Sequence, residues 1–471
     1  MTRSLDSMPV ELVQAIFGHV TAYPDTPFNE HAIPEFDPAL DVAPYRIASV
    51  CTAWRTIALR TPELWTYISI PWELEGHDVD RLNLNMERSG HMPLVIVGIY
   101  DEPNSHPDYK ILEKIWGQVF RWRRVRLHVT EVDLLELGML DLIAPLLEEF
   151  VLTGEYRRIV TDPTVDRSKL LSISPQLQRL ACTAFTPGPP PTPWAHLDYL
   201  MINMRIAEND ILWEMLSYTP VLRDLQVFFP YLDAVTHPGI PPSHDIVLPR
   251  LERLALYGHA SSGFPHWSAR WKCPSLHTIT ASTYGFYMLG QFFAHFARQI
   301  RVFKMQYEPN SKLSDEDALA LVCLADIQEL EICATPFQND EDVALRLRFT
   351  DFWQSMRRYV EGSSTVLHKL RRIRITGLLN IPDDELSELD QLVQYMEGNA
   401  RANGGTFFAD GGSYLAEWRA KREILNDLVN LAVIDADETG SDELGSNNGS
   451  QVVEVQVEDS ATAPINMANS A

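Results

Sequence analysis

One short pattern, apolar-x-x-apolar-x-apolar, recurs ten times between Trp122 and Ile375 and restricts the fold more than any other feature of the chain. It runs as Trp122-x-x-Val125-x-Leu127, Leu147-x-x-Phe150-x-Leu152, Leu177-x-x-Leu180-x-Cys182, Leu197-x-x-Leu200-x-Ile202 and Leu222-x-x-Leu225-x-Val227. It continues as Leu251-x-x-Leu254-x-Leu256, Leu276-x-x-Ile279-x-Ala281, Ile300-x-x-Phe303-x-Met305, Ile327-x-x-Leu330-x-Ile332 and Leu370-x-x-Ile373-x-Ile375. Most copies start ~20–30 residues apart, the spacing of one supersecondary unit repeated in tandem. The alternation at the end of each copy is that of a strand with one buried face. Helix-like stretches fall between several copies, at Ile211–Tyr218, Leu289–Arg298, Asp315–Ala325 and Phe349–Val360. A strand followed by a helix, repeated, predicts an α/β solenoid that buries one continuous core. The alternative is an ordinary α/β domain whose parallel strands share the pattern.

Side chains alternate along a strand, so the residues flanking the middle apolar position point away from the core. That places Arg124, Arg126 and His128 at one end, and Lys304, Glu329, Glu331, Arg372 and Arg374 towards the other. Between them Arg179, Tyr199, Phe228, Arg253 and Tyr257 come from consecutive or nearby copies. Arg and aromatic residues are enriched at binding cores, so these five are the candidate substrate-binding residues. The bland alternative for each is a strand residue tolerated at a surface.

Ahead of the array, Ser7 and Pro9 form a helix start, a hydroxyl cap with proline in the first turn. Leu12, Val13, Ile16, Phe17 and Val20 then make a wide apolar stripe. A second helix is expected over Tyr45–Leu59, and Thr61-Pro62 is expected to cap a third short turn presenting Leu64 and Trp65. So small a helical unit cannot bury that much apolar surface by itself, which predicts a partner. The connector Thr21–Pro44 holds Pro24, Pro27, Pro34, Pro38 and Pro44 and reads as an extended loop.

The order Met8-Pro9-x-Glu11-Leu12-x-x-x-Ile16-Phe17, then Val50-Cys51-x-x-Trp54-Arg55, then Pro62-x-Leu64-Trp65 resembles the F-box. That helical motif binds the Skp-type adaptor of cullin–RING ubiquitin ligases. The continuation through Ile68-Ser69-Ile70 to Leu84–Leu94 is similar to the segment that follows the motif in many fungal F-box proteins. Carried over by position, the adaptor-binding residues are Pro9, Leu12, Ile16, Phe17, Val50, Cys51, Trp54, Leu64 and Trp65. Some of them must hold the helices together instead, and sequence does not sort the two sets. Trp54, Phe17 and Trp65 stand out as hot-spot candidates.

An F-box followed by such repeats is a familiar family architecture. The array resembles an irregular, divergent leucine-rich-repeat-like solenoid that lacks most of the Asn or Cys residues usual after the third apolar position. The resulting expectation is an α/β chain with an F-box at 5–70, a linker at 71–115, the repeat domain at 116–434 and a disordered acidic tail at 435–471. Its implied role is the substrate-recognition subunit of a Skp–cullin–F-box type E3 ubiquitin ligase, with no catalytic residue or cofactor of its own. The alternative is a non-degradative interaction scaffold. An enzyme on an α/β domain is the third class, for which no convergent acid–base set is found.

Composition narrows the partners. At 471 residues the chain exceeds the ~250–300 residues of one compact core, in line with a repeat array. A net charge of −25 argues against nucleic acid and anionic membranes as partners. Part of that charge is local, since no Lys or Arg follows Glu423. The segment after about Ile434 is too polar to offset the entropy of ordering. Five cysteines, none in Cys-x-x-Cys spacing, fit reduced intracellular thiols and predict neither a disulfide framework nor a zinc site. The absence of an apolar signal region and of an 18-residue apolar run completes the expectation of a cytoplasmic or nuclear protein. Pro187–Pro193 reads as a rigid loop, while His237, His244, His259 and His266 lack any metal-ligand spacing. Gly404-Gly405 and Gly411-Gly412 read as turns.

Overall fold

A computed structural model of the chain describes residues 8–21, 38–70, 76–99, 109–128, 143–153, 173–183, 194–203, 209–229, 245–258, 270–282, 290–307, 318, 320–321, 323–324, 326–334, 350–362, 369–376, 383–402 and 408–410. All of them belong to one compact unit, Met1–Leu415. The expectations for Pro187–Pro193, the four loop histidines, both glycine pairs and the acidic tail fall outside the described residues.

The chain opens with helices α1 (Val10–Thr21), α2 (Pro38–Val50) and α3 (Thr52–Leu59), closed by a 3-10 turn at Pro62–Trp65. The single helix expected over Tyr45–Leu59 is thus two. It breaks at Cys51, whose backbone is extended and whose Sγ accepts the Trp54 N–H at 3.4 Å, capping α3. Helix α2 also begins earlier than the proline count predicts and carries Pro44 in its interior. Pro44 removes one ladder donor. The helix survives because Leu40, Ala43 and Ile47 are all buried. Thr61 makes no cap with its side chain. Its hydroxyl donates to the Ile57 carbonyl at 2.8 Å and accepts from Gln14 at 3.1 Å, tying the turn to α1.

The rest of the described chain is mixed α/β, built on one large parallel sheet. Strand β1 (Tyr67–Ile70) is followed by helix α4 (Gly76–Arg88), β2 (Leu94–Ile99), helix α5 (Tyr109–Trp116), β3 (Trp122–His128), β4 (Glu149–Thr153), β5 (Arg179–Cys182) and β6 (Tyr199–Asn203). Strands β7 (Asp224–Phe229), β8 (Ile246–Val247), β9 (Arg253–Gly258), β10 (Trp271–Lys272), β11 (Thr278–Ser282), β12 (Val302–Tyr307), β13 (Glu329–Ala334), β14 (Arg372–Thr376) and β15 (Phe408–Asp410) complete the order. Apart from β8 and β10, which pair with each other, they form, among the described residues, one 13-stranded sheet in strict chain order with β1 and β15 at its edges. Every neighbouring pair in it is parallel.

The ten copies of the pattern explain this order. Each supplies one strand from β3 to β14, and the register aligns their middle positions, so that Val125, Phe150, Leu180, Leu200, Leu225, Leu254, Ile279, Phe303, Leu330 and Ile373 form a single row. All ten are buried, as are the ten leading residues from Trp122 to Leu370. Helices Asn209–Ser217, Gly290–Phe296, Thr350–Gly362 and Asp383–Ala402 add Leu212, Phe292, Phe352 and Leu392 to the same buried cluster. Within the third expected helix, Asp315–Ala325, the described residues Ala318, Ala320 and Leu321 are helical.

The stretch 71–115, expected to lead into the array, carries α4 and β2, so the sheet starts earlier than the pattern indicates. Trp65-x-x-Ile68-x-Ile70 is in fact a further copy, hidden where the helical segment ends. Strand β2 escapes the pattern because Gly98 stands in the third apolar place. A Cβ there would lie 3.0 Å from Leu127 and 3.3 Å from Ile70, whose side chains fill the space instead.

Parallel sheets are ordinarily covered on both faces. Here the core cluster occupies one face. On the opposite face, at the β1 end, Leu40 of α2 packs with Tyr67 and Val97. Ser69 donates to Asp41 Oδ1 at 2.6 Å, and Arg81 of α4 reaches Asp41 Oδ2 at 3.1 Å. Tyr45 donates to Asn85 at 2.7 Å, while the Arg88 guanidinium lies 4.2 Å from the Trp65 ring centre. The three helices are therefore fastened to the sheet by α2 and α4.

Candidate functional site

The helical unit has its own small core: Val13, Phe17, Ile47, Ala58, Leu64 and Trp65, with Trp54 and Tyr45 packed at its margin. Trp65 is locked by its indole N–H donating to the Ala58 carbonyl at 2.9 Å and by an edge contact with Tyr45 at 5.2 Å. Phe17 meets Trp54 edge-on at 4.9 Å. These contacts sort the nine residues that sequence left mixed. Phe17, Leu64 and Trp65 are buried and hold the helices together, so the hot-spot expectation for Phe17 and Trp65 gives way to a core role. Cys51 and Trp54 are half-buried, and Pro9 is exposed. Leu12, Ile16 and Val50 stand 54%, 47% and 60% exposed, although large apolar residues are usually inside.

Leu12, Ile16 and Val20 follow one another at i, i+4 and i+8, so they share one face of α1. Val13 and Phe17, one position further along, turn into the core. A single helix thus carries a filled stripe beside an open one. Val20 belongs to the open stripe as well and was legible in the same periodicity.

The second surface is the open face of the sheet. The register puts Arg124, Glu149, Arg179, Tyr199, Asp224, Arg253 and Thr278 in one row, side by side on successive strands. Phe228 and Tyr257 share a parallel row, and their rings stack at 4.4 Å and 26°. All five candidate substrate-binding residues therefore fall on the same face. Arg179, Tyr199, Arg253 and Tyr257 line one hollow of ≈ 520 Å³ together with Asp224, Gln226, Thr280 and Lys304. Arg179 also lines a neighbouring hollow of ≈ 260 Å³ with Arg124, Arg126 and Glu149.

Carboxylates organise this face, two of them, Glu149 and Asp224, missed at the sequence level. Asp224 holds Arg253 at 2.8 Å, Glu331 holds Lys304 at 2.8 Å, and Glu149 pairs with Arg126 while lying 3.9 Å from Arg179. Glu149 and Asp224 occupy the register positions next to Arg179 and Arg253, so the alternation that singled out the basic residues would have found them too. Three small or flexible apolar residues, Val151, Ala181 and Met201, lie buried on this face with Tyr199 and Phe228 packed against them.

Among the described residues, no three His, Cys, Asp or Glu side chains gather into a group able to hold a metal ion. Burial pushes the Cys273 thiol up to about 12, leaving it protonated and non-nucleophilic. Both surfaces are suited to holding another molecule by contact and charge. No described helix is long and apolar enough to cross a membrane. Comparison with protein-family models and with curated proteins returns no match.

Proposed function

We propose that this chain is a substrate receptor of a Skp–cullin–F-box type ubiquitin ligase. In this reading a Skp-type adaptor docks on the helical unit, and a protein to be ubiquitinated docks on the open face of a leucine-rich-repeat-like array. The chain supplies proximity and orientation, and a partner supplies the chemistry. The observation that carries the reading is the open stripe of Leu12, Ile16 and Val20 beside a closed core, in the segment that resembles the F-box. Full burial of one such side chain contributes about 1.5–3 kcal/mol, and the three start about half-exposed. Pro9 and Val50 extend the exposed set, with Cys51 and Trp54 at its edge.

The test is capture of purified Skp-type adaptor by the full chain. Leu12→Asp combined with Ile16→Asp is expected to weaken capture at least ~10-fold, because charges replace the buried centre of the contact. The melting temperature is expected to stay within about 2 °C, since neither side chain fills the core. Undiminished capture by this variant would sink the adaptor assignment. Adaptor capture without recruitment of a cullin would reassign the chain to a non-degradative scaffold.

A further inference from the structure

We propose that the open face between β5 and β12 binds an acidic peptide segment that also carries an aromatic or large apolar side chain. This rests on the reading of that face as a protein-capture surface and adds to it the chemistry of the ligand.

The charges on the face are layered. The side chains of Glu149, Asp224 and Glu331 are only 6%, 11% and 10% exposed, whereas those of Arg179, Arg253 and Lys304 are 45%, 59% and 40% exposed. These three carboxylates therefore form the floor and their cations the rim, with half-buried Asp198 and Glu252 also in the lining. A guanidinium has five donors in a fixed fork, so Arg253 held by Asp224 keeps donors for a second carboxylate. The buried acids steady the cations rather than shielding them from a ligand.

The second element of the ligand follows from the apolar bed. Val151, Ala181 and Met201 run across β4, β5 and β6 in one row, adjoining Tyr199 and Phe228. On the next row half-buried Phe228 presents aromatic surface, backed by the stacked and buried Tyr257, and a hollow of ≈ 520 Å³ opens between Tyr257 and the cationic rim. That volume lies in the range of small-ligand clefts, about 300–1,000 Å³, and suits a few side chains rather than a whole domain. Nucleic acid fits poorly. Its continuous phosphate chain needs an uninterrupted basic track, and here the cations stand apart, Arg179 and Arg253 being separated along their row by Tyr199 and Asp224.

The probe is a fluorescein-labelled synthetic peptide of Asp and Glu around a central Tyr, titrated into the full chain and followed by anisotropy. Its Asn/Gln counterpart and a single-stranded oligothymidylate serve as comparisons. The acidic peptide is expected to bind with an affinity that falls as salt rises, at least ~10-fold tighter than the neutral one. Arg179→Gln with Arg253→Gln is expected to remove that ~10-fold preference. Lys304→Gln alone is expected to weaken it partially, which keeps the test intact if the double variant loses its fold. Equal binding of the neutral peptide, salt-insensitive binding, tighter binding of the oligonucleotide, or no change in either variant overturns the proposal. The Arg variants retain adaptor capture, and the Leu12→Asp/Ile16→Asp variant retains peptide binding, so failure of one reading is separable from failure of the other.

Discussion

Asp41 shows how one buried carboxylate couples the helical unit to pH. Burial raises its pKa above the ordinary 3.8, and the neighbouring Asp78 adds to that, while the Ser69 hydroxyl and Arg81 pull it down. A carboxyl whose folded value lies above its unfolded value retains a proton that unfolding releases. Its contribution therefore turns against folding as pH climbs past 3.8 and levels off above the raised folded value. Asp41→Asn abolishes that titration and keeps an oxygen for the Ser69 hydroxyl. Thermal melting on a pH series rising from 3.8 is expected to show the variant gaining on the native chain until the native carboxyl has ionised. A difference that stays flat would refute the burial argument. At this scale much of the sheet face was legible, because period-two alternation alone fixes the side on which Arg179, Tyr199 and Arg253 stand. The roles of Phe17 and Trp65 were not legible. A large apolar residue looks the same whether it closes a core or meets a partner, and only packing separates the two.

Among the elements, the helical unit hangs on Trp65, which meets Tyr45, Arg88 and the Ala58 carbonyl. Trp65→Ala is expected to cost about 3–5 kcal/mol, read as a lower denaturant midpoint of the helical unit, because a large cavity opens in a core of six residues. Ile16→Ala, on the open stripe of the same unit, is expected to cost under ~0.5 kcal/mol. Comparable costs for the two would contradict the division between core and exposed stripe. The strands were legible wherever three apolar positions recur. They were hidden where Gly98 replaces one of those positions, and where Ile68 and Ile70 sit beside residues that resemble another motif. The break at Cys51 was illegible because the sequence around it carries neither glycine nor proline. An extended residue with a thiol acceptor ends one helix and caps the next without any compositional mark.

Within the 13-stranded sheet each strand pairs with the strands before and after it in the sheet, so stability should spread locally along it. Leu225→Ala in β7 is expected to destabilise by about 2–5 kcal/mol and to raise amide exchange most in β6, β7 and β9, fading towards β1 and β14. Uniform acceleration over all strands would mean the sheet opens as one piece. The fastening of α2 and α4 to β1 gives the same order a metric meaning. Strand spacing in a sheet is about 4.8 Å, so the seven steps from β1 to β9 set Arg253 roughly 34 Å along the sheet from the strand that carries the helices. Each inserted or deleted unit would move that mark by one increment. The chain is graduated like a gauge, and where a bound molecule sits relative to the helices is written in the count of repeats that precede it.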